Sequence, residues 1–245
     1  MSRIRQQPEA PTVLRQLAGG ERIDLHQHDN HQIVYAGAGV VSITTDRGTW
    51  VAPATRAIWV PAGTPHEHRA YGETALHLVG LADNPLGLTT PAVLTVHPLL
   101  RELIIAYTDD PADDSAARRR LRAVLLDQLR LSTEQTALRL PAARDGRLAA
   151  VCAILAADPA DNRPLPALGS AVGASERTLS RLFRSEFAMT FPQWRTQLRL
   201  HHAVVLLAEG HPVTAVAHLC GWSTPSAFID TYKEIFTTTP GRRVR

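Results

Sequence analysis

Hydrophobic and polar positions change texture along the chain. Between residues 12 and 82 short apolar runs alternate with turn residues, the pattern of β-strands. The runs include Gln32-Ile33-Val34-Tyr35, Val40-Val41-Ser42-Ile43-Thr44-Thr45, Arg56-Ala57-Ile58-Trp59-Val60 and Leu76-His77-Leu78-Val79. Gly37-Ala38-Gly39, Asp46-Arg47-Gly48 and Pro61-Ala62-Gly63 read as the breaks between them. Short strands at such even spacing predict a small sandwich or barrel. From about 97 to 138 the period becomes helical. One helix is expected near 97–107, and another, after Asp113-Asp114-Ser115, carries Leu121, Val124, Leu125, Gln128 and Leu131 as an i, i+3, i+4, i+7 stripe. The stripe reads either as packing between domains or as the seam of a homodimer, and both stay open.

Beyond residue 141 every apolar set has helical spacing: Leu148, Val151 and Leu155; Leu168 and Val172; Leu179, Leu182, Phe183 and Phe187; Trp194, Leu198 and Val205; Val213, Val216 and Cys220; Phe228, Tyr232 and Phe236. A β-type front and an α-type back make two domains rather than an alternating α/β sheet. The expected organisation is an all-β barrel over 1–96, a helical linker over 97–140 and an all-α domain over 141–245.

Two stretches of the helical half share one grammar, near 165–186 and 213–236. In the first, a short helix ends at Gly173, which suits a left-handed turn. Ser175 stands where an N-cap belongs. The next helix would bury Leu179, Leu182 and Phe183 and turn Arg177, Ser180, Arg181 and Arg184 outward. In the second, a helix stops at Gly221, Thr224 is the N-cap and Pro225 the first helical residue. That helix would bury Phe228, Tyr232 and Phe236 and expose Ser226, Asp230 and Lys233. Helix-turn-helix units present their second helix to the DNA major groove, where arginine forks onto guanine or grips phosphate and serine donates to either. A long helix beginning near Pro192 joins the two.

Charge agrees with this division. Residues 1–143 hold 14 Lys+Arg against 15 Asp+Glu, whereas residues 144–245 hold 12 against 8. The basic excess therefore lies in the half with the helix pairs, as a nucleic-acid-binding module requires. The 245 residues suffice for two domains, and 44% hydrophobic with 20% charged residues excludes collagen-like, mucin-like and generally disordered classes. No apolar run approaches the eighteen or so residues of a membrane span, so no membrane partner is expected. The first eight residues lack the apolar core of a secretory signal. Cys152 and Cys220 form neither a disulfide framework nor a CxxC site. A cytoplasmic location follows as the expectation.

Seven of the eleven histidines fall in the front half, five of them in two clusters, His26-Gln27-His28-Asp29-Asn30-His31-Gln32 and Pro61-Ala62-Gly63-Thr64-Pro65-His66-Glu67-His68. Alternate strand residues share a face, so His26, His28 and Gln32 point one way and His31 the other. Three neutral imidazoles are enough to bind Zn²⁺, Ni²⁺ or Fe²⁺, with Gln32 or water completing the shell. The competing reading is a polar barrel interior whose histidines bond each other, water or an organic effector. Val34, Trp50, Ile58, Trp59 and Val60 offer an apolar wall for such a molecule.

On these residues the chain resembles the AraC/XylS family of bacterial transcription regulators with an N-terminal cupin-like sensory domain. The DNA-binding resemblance covers residues from about 141 to 245 and ends in Gly221-Trp222-Ser223-Thr224-Pro225-Ser226-Ala227-Phe228, Tyr232-Lys233, Phe236 and Pro240-Gly241-Arg242-Arg243. It implies seven helices and two recognition helices set in successive major grooves. It carries DNA-contacting roles onto Ser175, Arg177, Ser180, Arg181 and Arg184 in the first unit and Thr224, Ser226, Asp230 and Thr231 in the second. Three positions depart from the family pattern. Trp222 replaces the usual tyrosine or phenylalanine, and Thr237 replaces a glycine, which implies a differently shaped turn. Asp230 puts an anion near DNA, where it either accepts from cytosine N4 or repels, so the second unit is expected to add less affinity. The cupin resemblance rests on Gly20, His26, His28, Gln32 and Gly39, then on Pro61, Gly63 and His66. It implies either one divalent metal or, as in many such sensory domains, a small organic effector at His26, His28, Gln32 and His66, with His68 as an additional residue. Gln32 stands in place of the family's glutamate, and Thr55 and Ala70 replace the flanking glycine and asparagine of the second motif.

The expected function is a sequence-specific, double-stranded-DNA-binding transcription regulator that senses a small molecule or a divalent metal, with a homodimer and a contact to RNA polymerase as further partners, and not an enzyme. The alternative is a metal-dependent cupin oxygenase or isomerase with a helical appendage and Glu67 as its acid or base. A third reading is a scaffold that dimerises through 97–138. Arg118, Arg119, Arg120 and Arg122 read as a solvated face, with contact to DNA phosphate as the other option.

Overall fold

A computed structural model describes residues 4–135 and 138–240. Contacts divide the chain into two compact units, Met1–Ala137 and Leu138–Arg243. Among the described residues no helix is long and apolar enough to cross a membrane.

The first unit is the cupin-like β-structure. Its strands are β1 (Arg5–Gln7), β2 (Val13–Leu17), β3 (Arg22–His28), β4 (His31–Thr45), β5 (Gly48–Pro53), β6 (Arg56–Val60), β7 (His66–Leu81), β8 (Ala92–Thr95) and β9 (Glu134–Gln135). They pair in the order β1-β3-β7-β4-β6-β8-β9, with β2 on β7 and β5 on β4. The spine is the antiparallel ladder of β4 and β7, which runs from His31 opposite Leu81 to Thr44 opposite Glu67. One end of β7 also pairs with β2 and the other with β3, and this second pairing sets His26 opposite His66.

Gly37-Ala38-Gly39 does not break the strand. β4 passes through it with irregularities between Ala36 and Ala38 and between Ala38 and Val40. Gly39 makes this possible: its φ is +71°, and a Cβ there would lie 2.4 Å from Thr74 Oγ1 and 2.6 Å from the Glu73 carbonyl oxygen. A β-bulge absorbs the extra residue and keeps the ladder going.

Two helices belong to this unit, α1 (Pro98–Asp109) and α2 (Ala116–Arg130). Leu100, Leu103, Ile104 and Tyr107 of α1 join Ile33, Tyr35, Trp59 and Val79 of the sheet in one buried cluster, to which α2 adds Leu125 and Leu129. The inward column of α2 is therefore half-buried Leu121 with buried Leu125 and Leu129, four residues apart, which keeps Leu121 and Leu125 of the stripe expected from periodicity and adds Leu129. Val124 and Leu131 of that stripe are 43% and 66% exposed. The helix meets its neighbours along one i, i+4 ridge, and residues 124 and 131 lie around the cylinder from it.

The second unit contains α3 (Gly146–Ala157), α4 (Leu165–Ala171), α5 (Glu176–Phe187), α6 (Phe191–Ala208), α7 (Val213–Leu219) and α8 (Pro225–Phe236). Among the described residues these are six helices, where the family resemblance implies seven; Gly241, Arg242 and Arg243 of the terminal signature lie outside the described residues. Leu148, Leu155, Leu168, Leu179, Phe183, Phe187 and Trp194 are among the residues of a core shared by α3 to α6.

Both helix-turn-helix units use one backbone device. The Ala174 N–H donates to the Gly169 carbonyl at 2.9 Å, and the Trp222 N–H donates to the Ala217 carbonyl at 2.9 Å. Gly173 and Gly221 hold the left-handed turns between, at φ +66° and +81°. The second helices start from matching caps: Ser175 Oγ accepts from the Thr178 N–H at 3.2 Å, and Thr224 Oγ1 from the Ala227 N–H at 3.2 Å. They also end alike, on left-handed Ala188 (φ 55°) and Thr237 (φ 58°). Thr237 thus takes the left-handed conformation that glycine adopts most readily.

The first unit's turn is tight enough to require a glycine in α4. A Cβ on Gly169 would lie 2.3 Å from the Ala174 carbonyl oxygen, a backbone atom that has little room to retreat. Gly169→Ala is expected to destabilise the protein by about 1–3 kcal/mol. Ala188→Gly, which relieves a left-handed alanine at the entropic cost of glycine, is expected to stabilise it by about 0.5 kcal/mol. Denaturant unfolding of the full chain checks both signs.

Candidate functional site

The outward face of α5 is built by its own amphipathicity. Leu179, Leu182, Phe183 and Phe187 are buried, which leaves Arg177, Arg181 and Arg184 exposed along one stripe, with Ser180 half-buried among them. Among the described residues none of these three arginines enters an ion pair. Their guanidinium groups are uncommitted, the condition for donating to phosphate or to guanine O6 and N7. Ser175 is exposed, but its hydroxyl already accepts the capping bond and lies 3.0 Å from Thr178 Oγ1.

The face of α8 is chemically different. Phe228, Tyr232 and Phe236 are buried in a run of ring contacts that begins at Trp222, 4.8 Å from Phe228. Ser226 and Asp230 are exposed beside Lys233 and Glu234. Thr224 Oγ1 serves the cap, and the half-buried Thr231 hydroxyl donates to the Ala227 carbonyl at 2.9 Å. Of the four residues assigned to this helix, Ser226 and Asp230 are the ones whose polar atoms enter no bond within the helix. The surface carries one cation between two anions, so it offers phosphate far less than α5 does.

The second constellation lies in the β-structure. His26 and His28 on β3, His66 and His68 on β7, and Gln32 on β4 are all buried, three of them at 0% exposure. Period-two alternation puts each histidine pair on one face of its strand, and the β3–β7 pairing sets the pairs side by side. Ring centroids lie 4.4 Å apart for His26 and His66, and 5.0 Å apart both for His28 and His66 and for His66 and His68. His26, His66 and His68 offer ligand atoms within 4.8 Å of one another. His31 turns away as expected, stacks on Trp59 at 4.9 Å and accepts the Ala62 N–H at its Nδ1.

Three of the rings are anchored in the same way. His26 Nδ1 bonds the Asp24 carbonyl at 2.8 Å, His28 Nδ1 the Asn30 carbonyl at 2.7 Å, and His66 Nδ1 the Thr64 carbonyl at 2.7 Å. A carbonyl oxygen only accepts, so each Nδ1 carries the proton and each Nε2 keeps its lone pair. The Nε2 atoms of His28 and His66, and both ring nitrogens of His68, are buried without a hydrogen-bond partner. Burial pushes all four imidazoles toward the neutral form, His66 to about 3, and repulsion from neighbouring rings adds to the effect at His26, His66 and His68. Gln32 adjoins His28, yet neither of its amide atoms makes a well-formed hydrogen bond. Glu67 lies between His66 and His68 on β7 and so faces the opposite side of the strand.

The most compact group thus includes His68, which the motif comparison placed outside the main ligand set; its period-two spacing from His66 is the sequence signal for it. Glu186 had no such signal. Its carboxylate, near the end of α5, accepts the Arg144 and Asp145 N–H groups at 2.7 and 3.2 Å, and so ties α5 to the start of α3.

Comparison with known proteins bears on both constellations. Residues 168–245 match the helix-turn-helix domain family and residues 13–81 the cupin domain family. The HTH-type transcriptional regulator NimR of Escherichia coli (strain K12) is 31% identical over 223 residues, which span 90% of this chain and 81% of NimR. The HTH-type transcriptional regulator RipA of Corynebacterium glutamicum is 34% identical over 101 residues, 41% of this chain and 30% of RipA. Among solved structures, a transcriptional regulator of the AraC type from Chromobacterium violaceum is 25% identical, covers 38% of this chain and 85% of its own, and superposes with a TM-score of 0.36. With NimR matched across both units and the helix-turn-helix family matched over the second, the chain belongs to the AraC/XylS family of DNA-binding transcription regulators and carries an N-terminal cupin domain.

Proposed function

We propose that this regulator binds a specific duplex site through the outward faces of α5 and α8, and that its cupin unit senses a divalent transition metal held by His26, His28, His66 and His68. The observation that carries the sensory part is the set of buried imidazole nitrogens left without partners. An unpaired polar atom in an apolar interior costs about 1–3 kcal/mol, and several in one pocket demand a common partner. The donor set fits a metal. Carbonyl bonds at Nδ1 fix the tautomer and orient Nε2, the usual outer-shell arrangement of histidine ligands. Ligand atoms of His26, His66 and His68 that lie within 4.8 Å of one another suit a single shared ion. All-nitrogen donors suit Ni²⁺, Cu²⁺ or Zn²⁺ better than Mg²⁺ or Ca²⁺.

A bound ion would supply positive charge shared among these imidazoles. The histidines of β3 and β7 are the groups that would respond, because they cross-link the two strands only when their Nε2 atoms share a partner. Occupancy biases DNA binding only so far as the pocket's affinity differs between DNA-bound and free arrangements of the protein. The iron-oxygenase form of the catalytic alternative uses two histidines and a carboxylate, and its acid–base form needs Glu67 to face the imidazoles. Gln32 supplies no carboxylate, and Glu67 faces away, which favours sensing over turnover.

Selection from random duplex DNA with the purified chain, with and without added Zn²⁺ or Ni²⁺, is expected to enrich a site spanning two adjacent major grooves, with affinity falling steeply as salt rises. No enriched sequence overturns the DNA reading. Arg181→Ala is expected to cost about 1–3 kcal/mol on the enriched site and little on random duplex; an equal loss on both makes Arg181 a phosphate contact.

In equilibrium dialysis with elemental analysis, wild type is expected to hold one metal per chain. His66→Ala is expected to weaken binding beyond the roughly 10–100-fold that loss of an outer-shell partner causes, with the circular dichroism spectrum unchanged. Wild-type protein that takes up no metal under these conditions points to an organic effector instead.

The same burial sets a pH dependence. The folded chain keeps the histidines neutral, whereas in the unfolded chain they titrate near pH 6.5. Below that pH the unfolded state binds more protons, so the stability of the metal-free protein is expected to fall as pH drops from about 6.5 towards about 3. Denaturant unfolding at pH 7.5 and 5.5 checks the sign, and greater stability at the lower pH overturns it.

A further inference from the structure

We infer that Arg199 is the residue that sets the spacing of the two recognition helices. It stands on α6, the helix that joins the two helix-turn-helix units, and its guanidinium touches the loop that leads into the first and the turn of the second. Nε donates to the Pro159 carbonyl at 3.1 Å and Nη2 donates to Asn162 Oδ1 at 2.7 Å. Both acceptors lie in the 158–164 loop that delivers the chain into α4, the first helix of the first unit. The same guanidinium lies against the turn of the second unit: a Cβ on Gly221 would be 2.7 Å from Nη2 and 2.9 Å from Cζ. Ala160 of the loop closes on that turn as well, its Cα 2.9 Å from the same point. Gly221 is therefore needed twice, for its left-handed φ of +81° and for the room it leaves to Arg199.

The chemistry suits a spacer. A guanidinium is planar and always charged, and presents its donors in a rigid fork, so two acceptors and one packing surface fix it in a single pose. Half-burial sharpens this, because a guanidinium removed from water that loses an acceptor is left unsatisfied. Arg195, one turn earlier on α6, donates to the Arg163 carbonyl and stacks over Phe191 at 4.2 Å. The loop thus stays attached to α6 when Arg199 is removed, and what is lost is the link onward to Gly221. Successive major grooves recur after about 34 Å, and a small rotation of one unit about α6 moves its recognition helix out of register with the second groove.

The inference rests on the proposed reading of paired grooves, and its test separates the two. Full-length wild type and Arg199→Ala are titrated against three duplexes: the site enriched by wild type, that site with one base pair inserted between its two halves, and that site with the second half scrambled. An inserted pair shifts the second groove by about 3.4 Å and turns it by about 35°. Wild type is expected to lose about tenfold or more on insertion, the equivalent of about 1.4 kcal/mol. Arg199→Ala is expected to bind the intact site about tenfold more weakly, to bind the half-scrambled site about as well as wild type, and to pay a smaller insertion penalty.

Arg199→Lys, which keeps the charge without the fork, is expected to fall between. Gly221→Ala, which evicts the guanidinium, is expected to reproduce Arg199→Ala. Gly173→Ala imposes the same left-handed strain in open space and is expected to leave the insertion penalty as in wild type. An unchanged insertion penalty in both Arg199→Ala and Gly221→Ala, or an equal loss on all three duplexes, overturns the assignment and reduces Arg199 to a stabilising contact. Failure of the paired-groove reading shows separately, as wild type that is indifferent to insertion.

Discussion

A polar group taken out of water must be given a partner, and both units of this protein are arranged around that requirement. In the cupin unit it governs the histidines. Three rings spend one nitrogen on a backbone carbonyl, and the nitrogens left over converge on one another across β3 and β7. No apolar side chain placed there would need such anchoring, and solvated histidines would not need to converge. In the helical unit the same requirement governs Arg199, whose fork is satisfied by Pro159 and Asn162 only where the second unit's turn has no Cβ to displace it.

The two helix-turn-helix units are copies in backbone and not in surface. Each closes its turn with one N–H to carbonyl bond, passes through a left-handed glycine, starts its second helix on a hydroxyl cap and ends it on a left-handed non-glycine residue. Upon this shared frame α5 exposes three unpaired arginines, whereas α8 exposes short polar side chains and charges of both signs. On the proposed reading, counterion release would make α5 the source of affinity and leave α8 to discriminate by individual hydrogen bonds.

Much of the candidate site was legible along the chain, because local rules decide it. The outward set Arg177, Arg181 and Arg184 follows from the positions of Leu179, Leu182 and Phe183, and the caps at Ser175 and Thr224 follow from residue type and place. Period-two alternation likewise grouped His26 with His28 and turned His31 away. The same rules failed where a partner from elsewhere in the chain intervened. Gly37-Ala38-Gly39 looks like a turn until β7 pairs along its whole length and makes it a bulge. Val124 and Leu131 look like core until α2 is seen to meet its neighbours along another ridge.

The order of amino acids by itself determined the β-type front and α-type back, the caps and glycine turns of the helix pairs, and the polarity of the outward faces of α5 and α8, since these depend on residues within a few positions of one another. Only the tertiary structure decided that His68 joins His26 and His66, that Glu186 holds the start of α3, and that Arg199 spans two turns far apart in sequence. Those choices depend on which distant groups are desolvated together, and that is settled when the strands pair and the helices pack, not before.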